Sequence, residues 1–224
     1  MIDYLLPIIT VLIGFLFVIL IKPKEGKYLK LFLAFSGAFL LSLTVFNLLP
    51  EIYHEEAGKT VGIFIMLGIL LQIFLEFFSK GAEHGHVHAP GNMQTFPWLL
   101  FISLSIHSIL EGFPLHRHDT LVYGIVVHKM PVAIVLTAFF LKTGMKKWHI
   151  AAFVSLFALM TPLGTFLGEH INGIEKFHAP ISALIIGIFL HISTIILFES
   201  SEGHKFNLTK LAVIIAGILI AYIL

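Results

Sequence analysis

The chain has 224 residues, of which 58% are hydrophobic and only 12% charged, and its mean hydropathy is +0.97. A soluble domain needs about twice that charged fraction to cover its surface, so the solvent for most of this chain is lipid. A net charge of +1 gives no ground for nucleic-acid binding, and the absence of cysteine removes disulfides and thiolate metal sites.

A bilayer-spanning helix needs about 20 mostly apolar residues. Eight segments meet that requirement: 4–21, 29–49, 61–78, 96–113, 121–141, 150–167, 180–198 and 208–224. The first lacks a basic leader and a small-residue cleavage site, so it reads as a span and not as a removed signal peptide. The connections are short and polar, which predicts antiparallel packing of consecutive helices. Basic residues alternate between loops. The odd-numbered loops hold Lys22, Lys24, Lys27 and Lys30, then Lys80, then Lys142, Lys146 and Lys147, then Lys205 and Lys210. The even-numbered loops hold only Lys59, Arg117 and Lys176. This bias puts the odd loops in the cytoplasm and both termini outside.

The predicted fold class is therefore an all-α integral membrane protein of eight transmembrane helices, a single polytopic domain over residues 1–224. Residues 79–95 form a cytoplasmic, histidine-containing loop between spans three and four. A faint repeat relates spans one to three and six to eight around spans four and five. Gly37, Phe39, Leu40 and Thr44 match Gly187, Phe189, Leu190 and Thr194 at equal offsets. Gly14 and Gly164 precede them equally, and Gly68-Ile69-Leu70 echoes Gly217-Ile218-Leu219. The second copy enters the membrane in the opposite sense, an inverted repeat of the kind secondary transporters place around a midplane site.

Spans four and five hold the most improbable residues. His107 and Glu111 stand at i and i+4 on one helix face, and His128-Lys129 lies inside the fifth span. A charge at mid-bilayer costs on the order of 3 kcal/mol, so these groups must neutralise one another. Imidazole and carboxylate are zinc-type ligands, and His107, Glu111 and His128 supply three of them, leaving a fourth place for water. Pro114, Pro131 and Pro162 free the carbonyls of Leu110, Val127 and Ala158, which membrane helices tolerate where they line a cavity. A structural ion-pair network between helices is the alternative explanation of the same residues.

The 13 histidines extend beyond this group. His84, His86 and His88 alternate in the cytoplasmic loop, either as a weak receiving or sensing site or as a solvated linker. Glu51, His54, Glu55 and Glu56 gather at the outer end of span two, and His116, His118 and Asp119 gather in the loop between spans four and five. These clusters either raise the local cation concentration at an entrance or serve only solvation. His191 in span seven is a further pathway candidate beside Ser193 and Thr194, whose hydroxyls more often bond across helices. Asn47 and Gln72 read as interhelical hydrogen bonders, and the 22 phenylalanines as lipid-facing or packing residues.

His107-Ser108-Ile109-Leu110-Glu111-Gly112 resembles the fourth-span signature of the ZIP family of zinc and iron permeases. His128-Lys129 is similar to the opening of that family's fifth-span signature. Phe46-Asn47-Leu48-Leu49-Pro50-Glu51 and Thr161-Pro162-Leu163-Gly164 resemble the end of its second span and the motif of its sixth. The resemblance implies a transport site at His107, Glu111 and His128, in an inner bundle of spans one, four, five and six that moves against the rest. It also implies that the places of a second metal are taken by Ser108, Lys129 and Thr161. Lys129 then balances Glu111, so one metal is expected and not two. Val132 stands where the family has a glutamate, which should weaken binding, alter metal choice or abolish transport.

The function expected on these grounds is carriage of a divalent metal, zinc foremost, into the cytoplasm through one midplane site by alternating access. The setting expected is the plasma (inner) membrane. No organic cofactor is called for, and the partners are the ion, the lipid bilayer and, as an option, a second copy in a homodimer. Two rivals stand beside it: a transport-incompetent relative that senses metal, and an intramembrane zinc hydrolase built on the same three ligands, although no His-Glu-x-x-His motif occurs.

Overall fold

A computed structural model describes residues 1–23, 26–55, 58–79, 96–117, 120–171, 173, 177–199 and 208–224. All regular structure among them is helical: α1 Ile2–Ile21, α2 Lys27–Leu43, α3 Leu49–Glu55, α4 Gly58–Ser79, α5 Trp98–Gly112, α6 Leu121–Lys142, α7 Lys147–His170, α8 His178–Glu199 and α9 Leu208–Ile223. Lipid imposes this, because each backbone N–H and C=O must find its partner within its own segment. Seven helices among the described residues are long and apolar enough to cross a membrane, with α2 and α3 counted as one. The eighth apolar helix, α9, has 16 residues, about 24 Å at the helical rise.

The predicted spans fall on these helices, with instructive differences at their ends. α1 stops at Ile21 because Lys22 turns left-handed (φ 48°), its N–H still reaching the Val18 carbonyl, and Pro23 follows. Span two was expected to end at residue 49, but the helix continues to Glu55. Pro50 cannot donate to the carbonyl of Phe46, and the chain absorbs this by widening one turn into a π-helix, Thr44–Leu48, closed by the Leu49 N–H on the Thr44 carbonyl. Pro131 and Pro162 lie inside α6 and α7, which run through them without interruption.

The chain divides into two compact units. The first comprises Met1–Glu25 and Leu75–His170, and so holds α1, α5, α6, α7 and the last turn of α4. The second comprises Gly26–Phe74 and Ile171–Leu224, and so holds α2, α3, most of α4, α8 and α9. Within the first, α1 packs on α6 and α7, α5 packs on α7, and α6 touches α7. Within the second, α2 packs on α8 and α9. Apart from α6 with α7, these pairings join helices that are not sequence neighbours, which the short loops did not suggest.

In lipid, helices associate by close packing more than by the hydrophobic effect, so small residues matter at crossings. The α5–α7 crossing in the first unit is reciprocal. A Cβ on Gly112 would run into the carbonyl of Thr161, and one on Gly164 into the carbonyl of Ile109. The second unit repeats the device, with Gly68 against the Leu184 carbonyl and Gly187 against that of Ile65. The interior of the first unit is otherwise a packed apolar cluster, with Val11, Leu104, Val132, Leu136, Phe140 and Phe153 at its centre. The Phe140 and Phe153 rings meet at 4.7 Å between centroids.

Candidate metal centre

The site lies within the first unit and is made by α5, α6 and α7. The i, i+4 spacing puts His107 and Glu111 on one face of α5, with His107 Nε2 3.7 Å from Glu111 Oε2. His128 enters from the middle of α6, its ring nearly perpendicular to that of His107 with centroids 6.4 Å apart. One ligand atom from each of the three lies within 4.8 Å of the other two, and this is the one such group among the described residues. Donors around a tetrahedral zinc at 2.0–2.2 Å stand roughly 3.4 Å apart, so the three side chains need to close by only about 1 Å to hold an ion.

Burial makes the arrangement costly unless a cation is accommodated. His107, Glu111, His128 and Lys129 are each no more than 3% exposed. Lys129 Nζ lies 3.0 Å from Glu111 Oε2, donates to Ser108 Oγ at 2.8 Å, and sits 4.6 Å from the centre of the Phe157 ring. The ammonium is thus held by a carboxylate, a hydroxyl and an aromatic face. Glu111 Oε1 accepts no hydrogen bond among the described residues. A buried carboxylate oxygen without a donor is unfavourable, and a metal ion is the kind of partner that relieves it. The buried hydroxyls of Ser105 and Thr161 likewise lack a hydrogen-bond partner among the described residues.

The structure brings together His107, Glu111, His128, Ser108 and Lys129. His191 is half-buried on α8, in the second unit. Glu51 and His54 are exposed at the end of the second span. His84, His86, His88, His118, Asp119 and Glu56 lie outside the described residues. Val132, one turn beyond His128, is buried among aliphatic and aromatic side chains. Two contributors went unnoticed in the sequence. Phe157, one of the phenylalanines read as lipid-facing or packing residues, turns its ring to Lys129, and Thr165 of α7 donates to the carbonyl of Gly112 at 3.0 Å. The spacing Phe157, Thr161, Gly164, Thr165 places all four on one face of α7, and that periodicity was the available signal.

Apolar helices of spanning length and a buried His–Glu–His group define an integral membrane protein fit to bind a divalent cation. Residues 79–224 match the family described as ZIP Zinc transporter, and that stretch contains every residue of the group. The chain belongs to the ZIP zinc transporter family, whose members are transporters and not enzymes, and the hydrolase alternative is set aside. It is similar to Zinc transporter ZIP1 of Danio rerio, 28% identical over 138 residues, 56% of this chain and 44% of that protein. It is also similar to Zinc transporter ZIP1 of Takifugu rubripes, 27% identical over 132 residues with the same shares. The chain spans about half the length of the curated relatives it matches.

Proposed function

We propose that this chain carries a divalent metal ion, zinc foremost, across the membrane into the cytoplasm by alternating access through one site formed by His107, Glu111 and His128. The observation that carries the reading is the convergence of these three buried side chains from two helices. Two neutral imidazoles and one carboxylate match zinc's preference for nitrogen and oxygen ligands, and they leave a coordination position open, which suits an ion that must leave again.

Lys129 occupies the place of a second ion and supplies the charge that balances Glu111, so the site takes a single metal. Before the ion enters, the Glu111–Lys129 pair is neutral overall, which keeps the group tolerable at membrane depth. The membrane arrangement proposed with it is eight spans, both termini outside, in the plasma (inner) membrane, with the first unit carrying the site as a body. The inverted repeat draws support from matched crossings. Gly14 of α1 meets Ala133 and the Met130 carbonyl of α6, as Gly164 of α7 meets the Ile109 carbonyl of α5. Gly217 of α9 meets the Phe35 carbonyl of α2, as Gly68 of α4 meets that of Leu184 of α8.

A second reading, a metal-sensing relative that does not transport, is favoured by Val132 alone, since an aliphatic side chain stands one turn from His128 where a further carboxylate would complete the ligand set. Metal uptake into proteoliposomes across a panel of divalent ions separates the two readings, run with wild type, His107→Ala and Glu111→Ala. Transport by the proposed site gives zinc uptake in wild type and none in either variant. Uptake at the wild-type level in His107→Ala would falsify the site. Zinc binding without uptake would select the sensor.

A further inference from the structure

Glu111 stands on the last turn of α5, where a helix is ordinarily softest because its final carbonyls lack partners within the helix. Two features weaken this end further. Pro114 has no N–H for the Leu110 carbonyl, and beyond Gly112 the chain tightens into a 3-10 turn, Phe113–Arg117, with the Phe113 N–H turned to Leu110 instead. A ligand placed here would drift unless something outside α5 held it.

α7 holds it. Thr165 is fully buried, and its hydroxyl is shared between the Gly112 carbonyl across the crossing, at 3.0 Å, and the Thr161 carbonyl of its own helix, at 3.2 Å. What sets Thr165 apart is the acceptor on a second helix. Thr10, Thr44 and Thr137 close on the carbonyl four residues back in their own helix at 2.7–2.8 Å, the usual outlet for a threonine in a helix. The reciprocal contact of Gly112 and Gly164 then sets the distance between the two backbones. The residue after the carboxylate ligand is thus gripped by both a hydrogen bond and a close backbone crossing.

We propose that Thr165 is a positioning residue for the metal. Through the Gly112 carbonyl it fixes the height and rotation of the last turn of α5, and so the Glu111 carboxylate relative to His107 and His128, and in doing so it sets which divalent cation the site prefers. This rests on the metal site proposed above. Zinc, bound at short distances in tetrahedral geometry, demands a well-placed carboxylate, while a larger soft ion such as cadmium tolerates a looser one.

The test uses the full chain, purified in detergent, with zinc and cadmium affinities read by competition with a metal-indicator dye. Thr165→Val removes the hydroxyl with little change of shape, and Thr165→Ser keeps it. Thr165→Val is expected to weaken zinc binding ~5-fold, the equivalent of one buried hydrogen bond, and cadmium binding less, so the zinc-to-cadmium preference falls. Thr165→Ser is expected to restore it. Unchanged affinities, an equal loss for both ions, failure of Thr165→Ser to restore the preference, or loss of folded protein in both variants each overturns the proposal. His107→Ala is the control for the underlying site. Should wild type bind zinc, His107→Ala not bind it and Thr165→Val match wild type, the positioning role alone falls. Should wild type bind neither ion, the site falls with it.

Discussion

Lys129→Met offers a sharp test of the site's charge design, because methionine keeps much of the length and apolar stem of lysine and removes only the ammonium. In the structure the Nζ–Oε2 separation is 3.0 Å, and at an effective dielectric of 20 that pair attracts by about 5 kcal/mol. An incoming divalent ion must share Glu111 with this ammonium and is repelled by it as well. Even if relaxation and water cancel half of the effect, roughly 2–3 kcal/mol remains, and zinc should bind about 100-fold more tightly to Lys129→Met. The apo protein should be less stable, since Glu111 is left as an uncompensated buried charge, and zinc should reverse that loss by binding only the folded form. Transport should show a lower KM and a lower maximal rate, because an ion held more tightly leaves more slowly. Dye competition gives the affinity, and thermal unfolding with and without zinc gives the linkage. Zinc affinity equal to or weaker than that of wild type in folded Lys129→Met would refute the reasoning.

Three further outcomes follow from the same geometry. Gly164→Ala places a methyl group against the Ile109 backbone, where no side chain can yield, and should lose most folded protein; a wild-type yield after membrane extraction contradicts the reciprocal crossing. Val132→Glu buries a carboxylate one turn from His128, and should cost about 1–3 kcal/mol without metal and regain it when zinc takes up the new ligand; an equal melting temperature with and without zinc speaks against an ion at this place. Deleting residues 83–88 should change metal-dependent regulation more than the basal rate of uptake, measured as initial rates over a range of cytoplasmic-side zinc; an unchanged response marks the loop as a plain linker.

Lipid makes spans easy to read, because every residue of a long apolar run serves the same solvent, and Val61 to Phe78 could scarcely be anything but a helix. Ends were harder. The second span was bounded at residue 49, yet a single π-turn carries the helix past Pro50, and a local rule about proline cannot foresee that accommodation. Helix partners were hidden too, since α1 rests on α6 and α7 while the loops speak only of sequence neighbours. The converging side chains of the candidate site were legible because a histidine and a glutamate one turn apart in an apolar span are costly there. Lys129 was legible for the same reason, but its hold on Ser108 and on the Phe157 ring depends on how α5, α6 and α7 face one another. Thr165 was silent, because a threonine in a membrane helix ordinarily satisfies itself on its own backbone.

The central claim is that a cation lodges between two imidazoles and a carboxylate from α5 and α6. Zinc-edge X-ray absorption on the purified, zinc-loaded chain reads that environment directly. The account calls for one zinc per chain, with imidazole nitrogens and a carboxylate oxygen at about 2.0–2.2 Å and the imidazole signal reduced in His128→Ala. A spectrum without imidazole, or one that His107→Ala and His128→Ala both leave unchanged, would contradict it.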